Sequence, residues 1–259
     1  MPTRKVVSSV VASALAVAMG ISTLVAGLEH SSFLVQATNS QTVVSAVAAG
    51  AQQALAPADS TIEPVVETAS LDTSLQHPRI QKWVERLTTT LKHDFATSMT
   101  RMDKYAGMIT AKLDAKQMPR ELIYLAMIES NFNPNARSHV GAVGMWQFMS
   151  ATARQFGLTV KGKTDERKNP ADATDAALTY LSQLHDRFGS WYLAAAAYNS
   201  GAGTVSKALK KVTGKSQGTD EDFFRILSSL PRETQDYVPK LIASARVGSG
   251  LEKNGLNVD

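Results

Sequence analysis

The chain has 259 residues, carries 27 Lys and Arg against 23 Asp and Glu for a formal net charge of +4, and contains no cysteine. That length suffices for a real hydrophobic core, in one large domain or two small ones. The lack of cysteine excludes disulfides, thiolate metal sites and lipid attachment through a Cys, and the five histidines (His30, His77, His93, His139 and His185) form no H-x₃-H or HExxH pattern, so neither a metal nor another cofactor is expected.

The charge is uneven. Residues 1–77 hold only Arg4 and Lys5 against Glu29, Asp59, Glu63, Glu67 and Asp72, so the positive excess lies entirely in the remainder. A domain of that kind is drawn to an anionic polymer, and a carboxylate-bearing cell wall fits better than nucleic acid, because no Lys/Arg run is interleaved with aromatic residues.

At the N-terminus Arg4-Lys5 precedes an uncharged stretch, Val6 to Leu28. A basic flank before an apolar segment marks residues 1–28 as a cleaved signal peptide or a retained membrane anchor, with residues 6–28 as the tether, and places the protein in the cell envelope or periplasm. Residues 29–77, above all Thr38–His77, are Ala, Ser, Thr, Gln and Val with scattered acids, and read as a flexible linker. Order is expected from Pro78. Ile80, Trp83, Val84 and Leu87, then Leu91 and Phe95, recur at helical spacing, and a second helix is expected from about Ala96 to Lys116, so that 78–118 form the lead-in to a core at 119–247, with a short tail at 248–259.

Pro119 opens the next helix, which ends at Glu129. Leu122, Leu125 and Glu129 are spaced i, i+3, i+7 and share one face, so a carboxyl falls on an apolar stripe, where ionisation is costly and its pKa should rise. An acid that holds its proton near neutral pH is what cleavage of a glycosidic bond needs as a general acid. Read alone, such a Glu is more simply one that reaches water or pairs with an Arg at a helix end.

Asn133-Pro134-Asn135 is a turn, and Gly141 to Gly144 an irregular loop. Ser150 is expected to cap a short helix through Phe156, stopped by Gly157. Asn169-Pro170-Ala171-Asp172 is a helix start, followed by the stripe Ala173, Ala176, Ala177, Tyr180, Leu181, Leu184 and Phe188 and the stop Gly189. Trp191 to Tyr198 is almost continuously apolar, as in a fully buried helix. Further helices are expected at about 202–211, 221–229 and 232–247. No strand run is evident, and the fold class is all-α.

Four short motifs stand in order: Glu129-Ser130-x-Phe132-x-Pro134-x-Ala136-x-Ser138, Gly141-Ala142-x-Gly144-Met145-Trp146-Gln147-Phe148, Ala197-Tyr198-Asn199-x-Gly201, and Pro231-Arg232-Glu233-Thr234-x-x-Tyr237-Val238-Pro239. With this order and spacing, residues 119–240 resemble the catalytic domain of the soluble-type lytic transglycosylases, and the Trp and Phe around Gln147 resemble the membrane-bound lytic transglycosylase D branch. The resemblance implies a lysozyme-like helical domain with a substrate groove, acting on peptidoglycan glycan strands. It implies cleavage between N-acetylmuramic acid and N-acetylglucosamine by one carboxyl, Glu129, with closure of the sugar's own C6 hydroxyl onto C1 and 1,6-anhydromuramoyl ends. It also implies that Ser138 and Tyr237 stand near the reacting sugar and the acid.

Around that core, Gln147, Tyr198 and Asn199 are expected to present polar ends to the substrate and Met145 an apolar surface. Trp146 can be groove or core. Gly141 and Gly144 can serve either close approach to a sugar or plain turn geometry, and Glu233 is expected to tie helices together. The residues after Pro239 are too few for the LysM repeats many members carry, so wall affinity is expected from the groove and the basic surface. Two rivals remain. A goose-type hydrolytic lysozyme would need a second acid, for which Asp165, Glu166 and Asp172 are the candidates. An inactive wall-binding module would sit poorly with an intact Glu129.

Overall fold

The structure, a computed structural model, describes residues 69–254, with side chains through residue 250. The signal or anchor segment and most of the expected linker lie outside the described residues. Within them the elements run α1 (Pro78–Thr88), α2 (Lys92–Ala115), α3 (Ile123–Ser130), α4 (Ser150–Gln155), β1 (Val160–Lys161), β2 (Thr164–Asp165), α5 (Pro170–Phe188), α6 (Trp191–Ser200), α7 (Ala202–Thr213), α8 (Asp220–Ile226) and α9 (Arg232–Asn254). The class is all-α, as the helical periodicity predicts. The one addition is an antiparallel hairpin of two residues per strand, Val160 opposite Asp165 and Lys161 opposite Thr164, too short to leave an alternating pattern. No described helix is long and apolar enough to cross a membrane.

The centre of the domain is α6. Tyr192 through Ala197 are all buried without a break, so this helix has no solvent face. The run Ala194–Ala197 keeps its girth small, and α5, α7, α8 and α9 all pack directly on it. Ser190 caps it by accepting from the Leu193 amide. The start of α5 follows the expected pattern: the Asn169 side chain accepts from the Ala171 and Asp172 amides, Pro170 opens the helix, and Gly189 closes it at φ 73°. At α4 the reading differs. Met149 occupies the cap position and Ser150 is already helical, with no side-chain cap bond.

α9 packs on α1, α3 and α6. Its contact with α1 is fastened by Arg79, which donates to Asp236 at 2.6 Å and to Gln235 at 2.9 Å. The continuous lead-in helix expected through Phe95 is broken at residues 89–91, and Phe95 buries itself from α2 instead.

The linker reading is corrected at its C-terminal end. Leu71 is only 5% exposed, the Tyr192 hydroxyl donates to the Asp72 carbonyl, and the Arg246 guanidinium donates to the carbonyls of Thr73 and Leu75, the latter at 2.8 Å. His77 accepts from the Arg79 amide as the cap of α1 and lies against Phe224, ring centroids 4.4 Å apart. Residues 71–77 are therefore part of the packed domain. Of two shortened chains, one beginning at Ala69 and one at Pro78, the second should be less stable by about 2–4 kcal/mol, the worth of one buried leucine and a few hydrogen bonds. Urea unfolding of the pair checks this. Equal midpoints would mean that residues 71–77 contribute nothing.

Candidate active site

Helix α3 is buried along its length, from Ile123 through Ile128, and Glu129 is its penultimate residue. The chain then turns back sharply. Asn131 (φ 52°) and Phe132 (φ 56°) are both left-handed, a conformation that costs a non-glycine residue about 1–2 kcal/mol. Two things hold the turn. Phe132 is 1% exposed in the core, and the Asn131 and Phe132 amides bond back to the carbonyls of Met127 and Ala126. Ser130 then donates to the Met145 carbonyl at 2.8 Å and pins the end of α3 to the loop that follows.

That loop, residues 136–148, is a small irregular ladder. Val143 and Phe148 exchange both backbone bonds, the Gly144 amide donates to Ala136, and the Ser138 hydroxyl accepts from the Ala142 amide at 2.9 Å. Gly144 sits at φ 90°, and a Cβ there would lie 1.8 Å from the Arg167 carbonyl oxygen. Its missing side chain serves this close approach of protein to protein, rather than an approach to a sugar. Arg167, only 4% exposed, braces the loop from outside: it donates to the carbonyls of Gly141 and Phe148 and is itself held by both oxygens of Asp165 at 2.7 and 2.8 Å. That bidentate pair keeps the Asp165 carboxyl below its ordinary range.

The expected site residues divide clearly. Tyr237, 108 residues beyond Glu129, donates its hydroxyl to Glu129 Oε1 at 2.6 Å. The Tyr198 hydroxyl donates to the Trp146 carbonyl at 2.8 Å, and its ring lies edge-on to Phe148 and 5.3 Å from Tyr180. Gln147, at φ 49°, spends its amide hydrogens on the carbonyls of Gly144 and Ala136, which leaves its side-chain oxygen as an acceptor. Two residues are corrected. Met145 is 0% exposed and has no surface to offer a sugar, and Trp146 beside it is core, its indole N–H donating to Thr174. Asn199 does not face an open groove with its polar end: its amide donates to Glu233 at 3.1 Å and accepts from Thr234 at 2.8 Å, joining α6 to α9.

Three side chains of α9 face Glu129 from one stripe, Glu233, Tyr237 and Lys240, at i, i+4 and i+7. Burial pushes the Glu129 carboxyl from 4.5 up to about 7. The Tyr237 hydrogen bond opposes that rise, the Glu233 charge adds to it, and the Lys240 charge opposes it. Burial also lowers the Lys240 ammonium, against the support of Glu129 and Glu233. Glu129 still keeps partial contact with solvent, so the group is not sealed in the core. The sequence reading gives Lys240 and Arg167 no site role and Tyr180 only a place in the apolar stripe of α5. Each is an ordinary residue within a helical or loop pattern, and only the fold shows its place.

Residues 107–220 match the family described as the transglycosylase SLT domain. The chain is 37% identical over 159 residues to the membrane-bound lytic murein transglycosylase D of Escherichia coli (strain K12), covering 61% of this chain and 34% of that protein. It is 34% identical over 145 residues to the peptidoglycan transglycosylase gp16 of Escherichia phage T7, covering 55% of this chain and 10% of the other. It is 27% identical over 146 residues to the soluble lytic murein transglycosylase of Escherichia coli (strain K12), covering 54% and 22%. The chain thus spans about a third, or less, of the length of these relatives. The SLT match ends before α9, so Tyr237, Glu233 and Lys240 reach the SLT acid from outside the matched stretch.

The raised proton affinity of Glu129 has a consequence for stability. Below about pH 4.5 the group is protonated in both folded and unfolded chains and contributes nothing. Between about pH 4.5 and 7 the unfolded chain loses the proton while the folded chain keeps it, so stability falls as pH rises, by a total on the order of 3 kcal/mol above pH 7. Glu129→Gln should therefore match the natural chain near pH 4 and exceed its stability by about that amount near pH 8. Urea unfolding at the two pH values checks this. A difference that does not vary with pH would show an ordinary carboxyl.

Proposed function

We propose that the chain is a peptidoglycan lytic transglycosylase, cleaving the β-1,4 bond between N-acetylmuramic acid and N-acetylglucosamine and leaving 1,6-anhydromuramoyl ends. The observation that carries the reading is Glu129, a single carboxyl of near-neutral pKa, held by one hydrogen bond from Tyr237 on the wall of an SLT domain. Such a group can give a proton and take one back at the same pH. In the first half, Glu129 protonates the glycosidic oxygen as the C1–O bond breaks, and the N-acetylglucosamine side leaves with a free 4-hydroxyl. In the second, the Glu129 carboxylate removes the proton from the C6 hydroxyl while O6 bonds to C1. The carboxyl ends protonated and no water is consumed.

Two of the three acids that hydrolysis could draw on are otherwise engaged. Asp165 is clamped by Arg167, Glu166 accepts from the Thr159 amide, and Asp172 lies in the first turn of α5. Glu233 is the acid whose charge reaches Glu129, and it accepts from Asn199. In this reading Ser138 donates its hydroxyl hydrogen and Gln147 offers its side-chain oxygen to the sugar nearest the cut, while Tyr198 forms part of the groove wall with Phe148 and Tyr180. Tyr237 orients the acid. The substrate places the protein in the cell envelope, with residues 6–28 as its signal or tether.

Mass spectrometry of products from purified peptidoglycan tests this reading. Anhydro ends are expected, and none from Glu129→Gln, whose turnover should fall by several orders of magnitude. Reducing ends would indicate hydrolysis, and intact strands a binding module. Tyr237→Phe should lower turnover by about tenfold to a thousandfold, as loss of an orienting hydrogen bond does. The Tyr237 bond favours the ionised acid, so its loss should also move the alkaline limb of the pH–rate profile upward. An unchanged rate and profile would reduce Tyr237 to packing.

A further inference from the structure

Ser244 differs from the other small hydroxyls buried on helices. Ser98, Thr174 and Ser200 each donate to the carbonyl four residues back, at 2.8, 2.6 and 2.8 Å. Ser244 is 1% exposed, and its hydroxyl has no hydrogen-bond partner among the described residues. A buried hydroxyl left in that state costs about 1–3 kcal/mol. It lines a cavity of about 80 Å³ with Leu87, Phe95, Met127, Asn131 and Lys240, while Asp94 stands exposed at the rim. On α9, Ser244 continues the stripe of Glu233, Tyr237 and Lys240 by one further turn, and on α3 Met127 and Asn131 lie two residues either side of Glu129. Lys240 links the cavity to the acid, because its charge reaches Glu129 and it stands one turn beyond Tyr237, while Leu87, Leu91 and Phe95 close the cavity from the α1–α2 corner.

We propose that this cavity binds a carboxylate on a short apolar stem, held by the Lys240 ammonium and the Ser244 hydroxyl, and that through it the protein reads the peptide portion of murein beside the bond to be cut. The chemistry of the lining selects that ligand. Asn131 and, at the rim, Asp94 are also polar, the Ser98 hydroxyl is spent on the Asp94 carbonyl, and Leu87, Leu91, Phe95 and Met127 are apolar, so the donors offered to a ligand are those of Lys240 and Ser244. A carboxylate accepts charge-assisted bonds from both, whereas an ammonium ligand would be repelled. The volume is that of about two or three waters at roughly 30 Å³ each, enough for a carboxylate and a methyl group but too small for a sugar ring. A bound carboxylate also supplies Lys240 with the counter-charge that Glu129 does not provide while it holds its proton. Glycan strands of peptidoglycan carry such groups on their peptide stems.

The ligand identity rests on the proposed activity, and the test separates the two. The full-length chain is titrated with N-acetyl-D-alanine and with its methyl ester, by calorimetry or NMR. The acid should bind, the ester should not, and Ser244→Ala should weaken the acid at least fivefold while leaving thermal stability equal or higher. Peptide-bearing strands should then be cut with several-fold higher kcat/KM than strands stripped of peptide, and Ser244→Ala should abolish that difference while cutting stripped strands at the natural rate. Equal binding of acid and ester, or no effect of Ser244→Ala on either measurement, would show a cavity that holds water only and would overturn the proposal. If no strand of either kind is cut, the proposed activity falls, while the binding measurement still decides the cavity.

Discussion

The arrangement depends on one largely desolvated carboxyl near the end of one helix, touched by one hydroxyl from another. Glu129 ends a helix whose preceding six residues are all buried, and Tyr237 meets it at 2.6 Å. Burial raises its proton affinity and the hydrogen bond restrains the rise, so the balance near 7 belongs to both. Either influence alone would leave a group poorly matched to proton transfer in both directions at neutral pH.

The rest of the domain fixes that meeting. α3 and α9 pack on each other, and α9 is located by α6 and by the Arg79–Asp236 pair to α1. The left-handed residues Asn131, Phe132 and Gln147 cluster immediately after the acid and in the facing loop, where backbone strain is held by surrounding structure. Arg167 is the main brace there. With a bidentate partner in Asp165 and two loop carbonyls as acceptors, it has a buried cation's requirements met, and Gly144 is required because the backbone of that same residue passes so near.

Much of this was legible in the residues. The start and stop of α5 and the uninterrupted apolar run of α6 each follow from local pattern, and each is seen; the helix carrying Glu129 is seen too, but it begins at Ile123 after a 3-10 turn at Arg120–Leu122 rather than at Pro119, and it is buried all round rather than along one stripe. Tyr237 beside Glu129 is a contact across 108 positions and came from resemblance to a family, not from periodicity. What escaped has physical reasons. Residues 71–77 are held through backbone carbonyls by Arg246 and Tyr192, and a carbonyl has no sequence signature. In an irregular loop no period says which side faces the core, so Met145 read as surface although it is fully buried. Asn199 is polar at the end of a buried helix, a position equally suited to a ligand and to the helix junction it makes with Glu233 and Thr234.

The proton affinity of Glu129 can be measured without any substrate. In full-length protein with ¹³C-labelled glutamate side chains, the carboxyl signal that disappears in Glu129→Gln should titrate with a midpoint near 7, well apart from the exposed glutamates. A midpoint in the ordinary range of about 4–4.5 would contradict the account at its base, because the folded chain would then hold no proton to transfer at neutral pH.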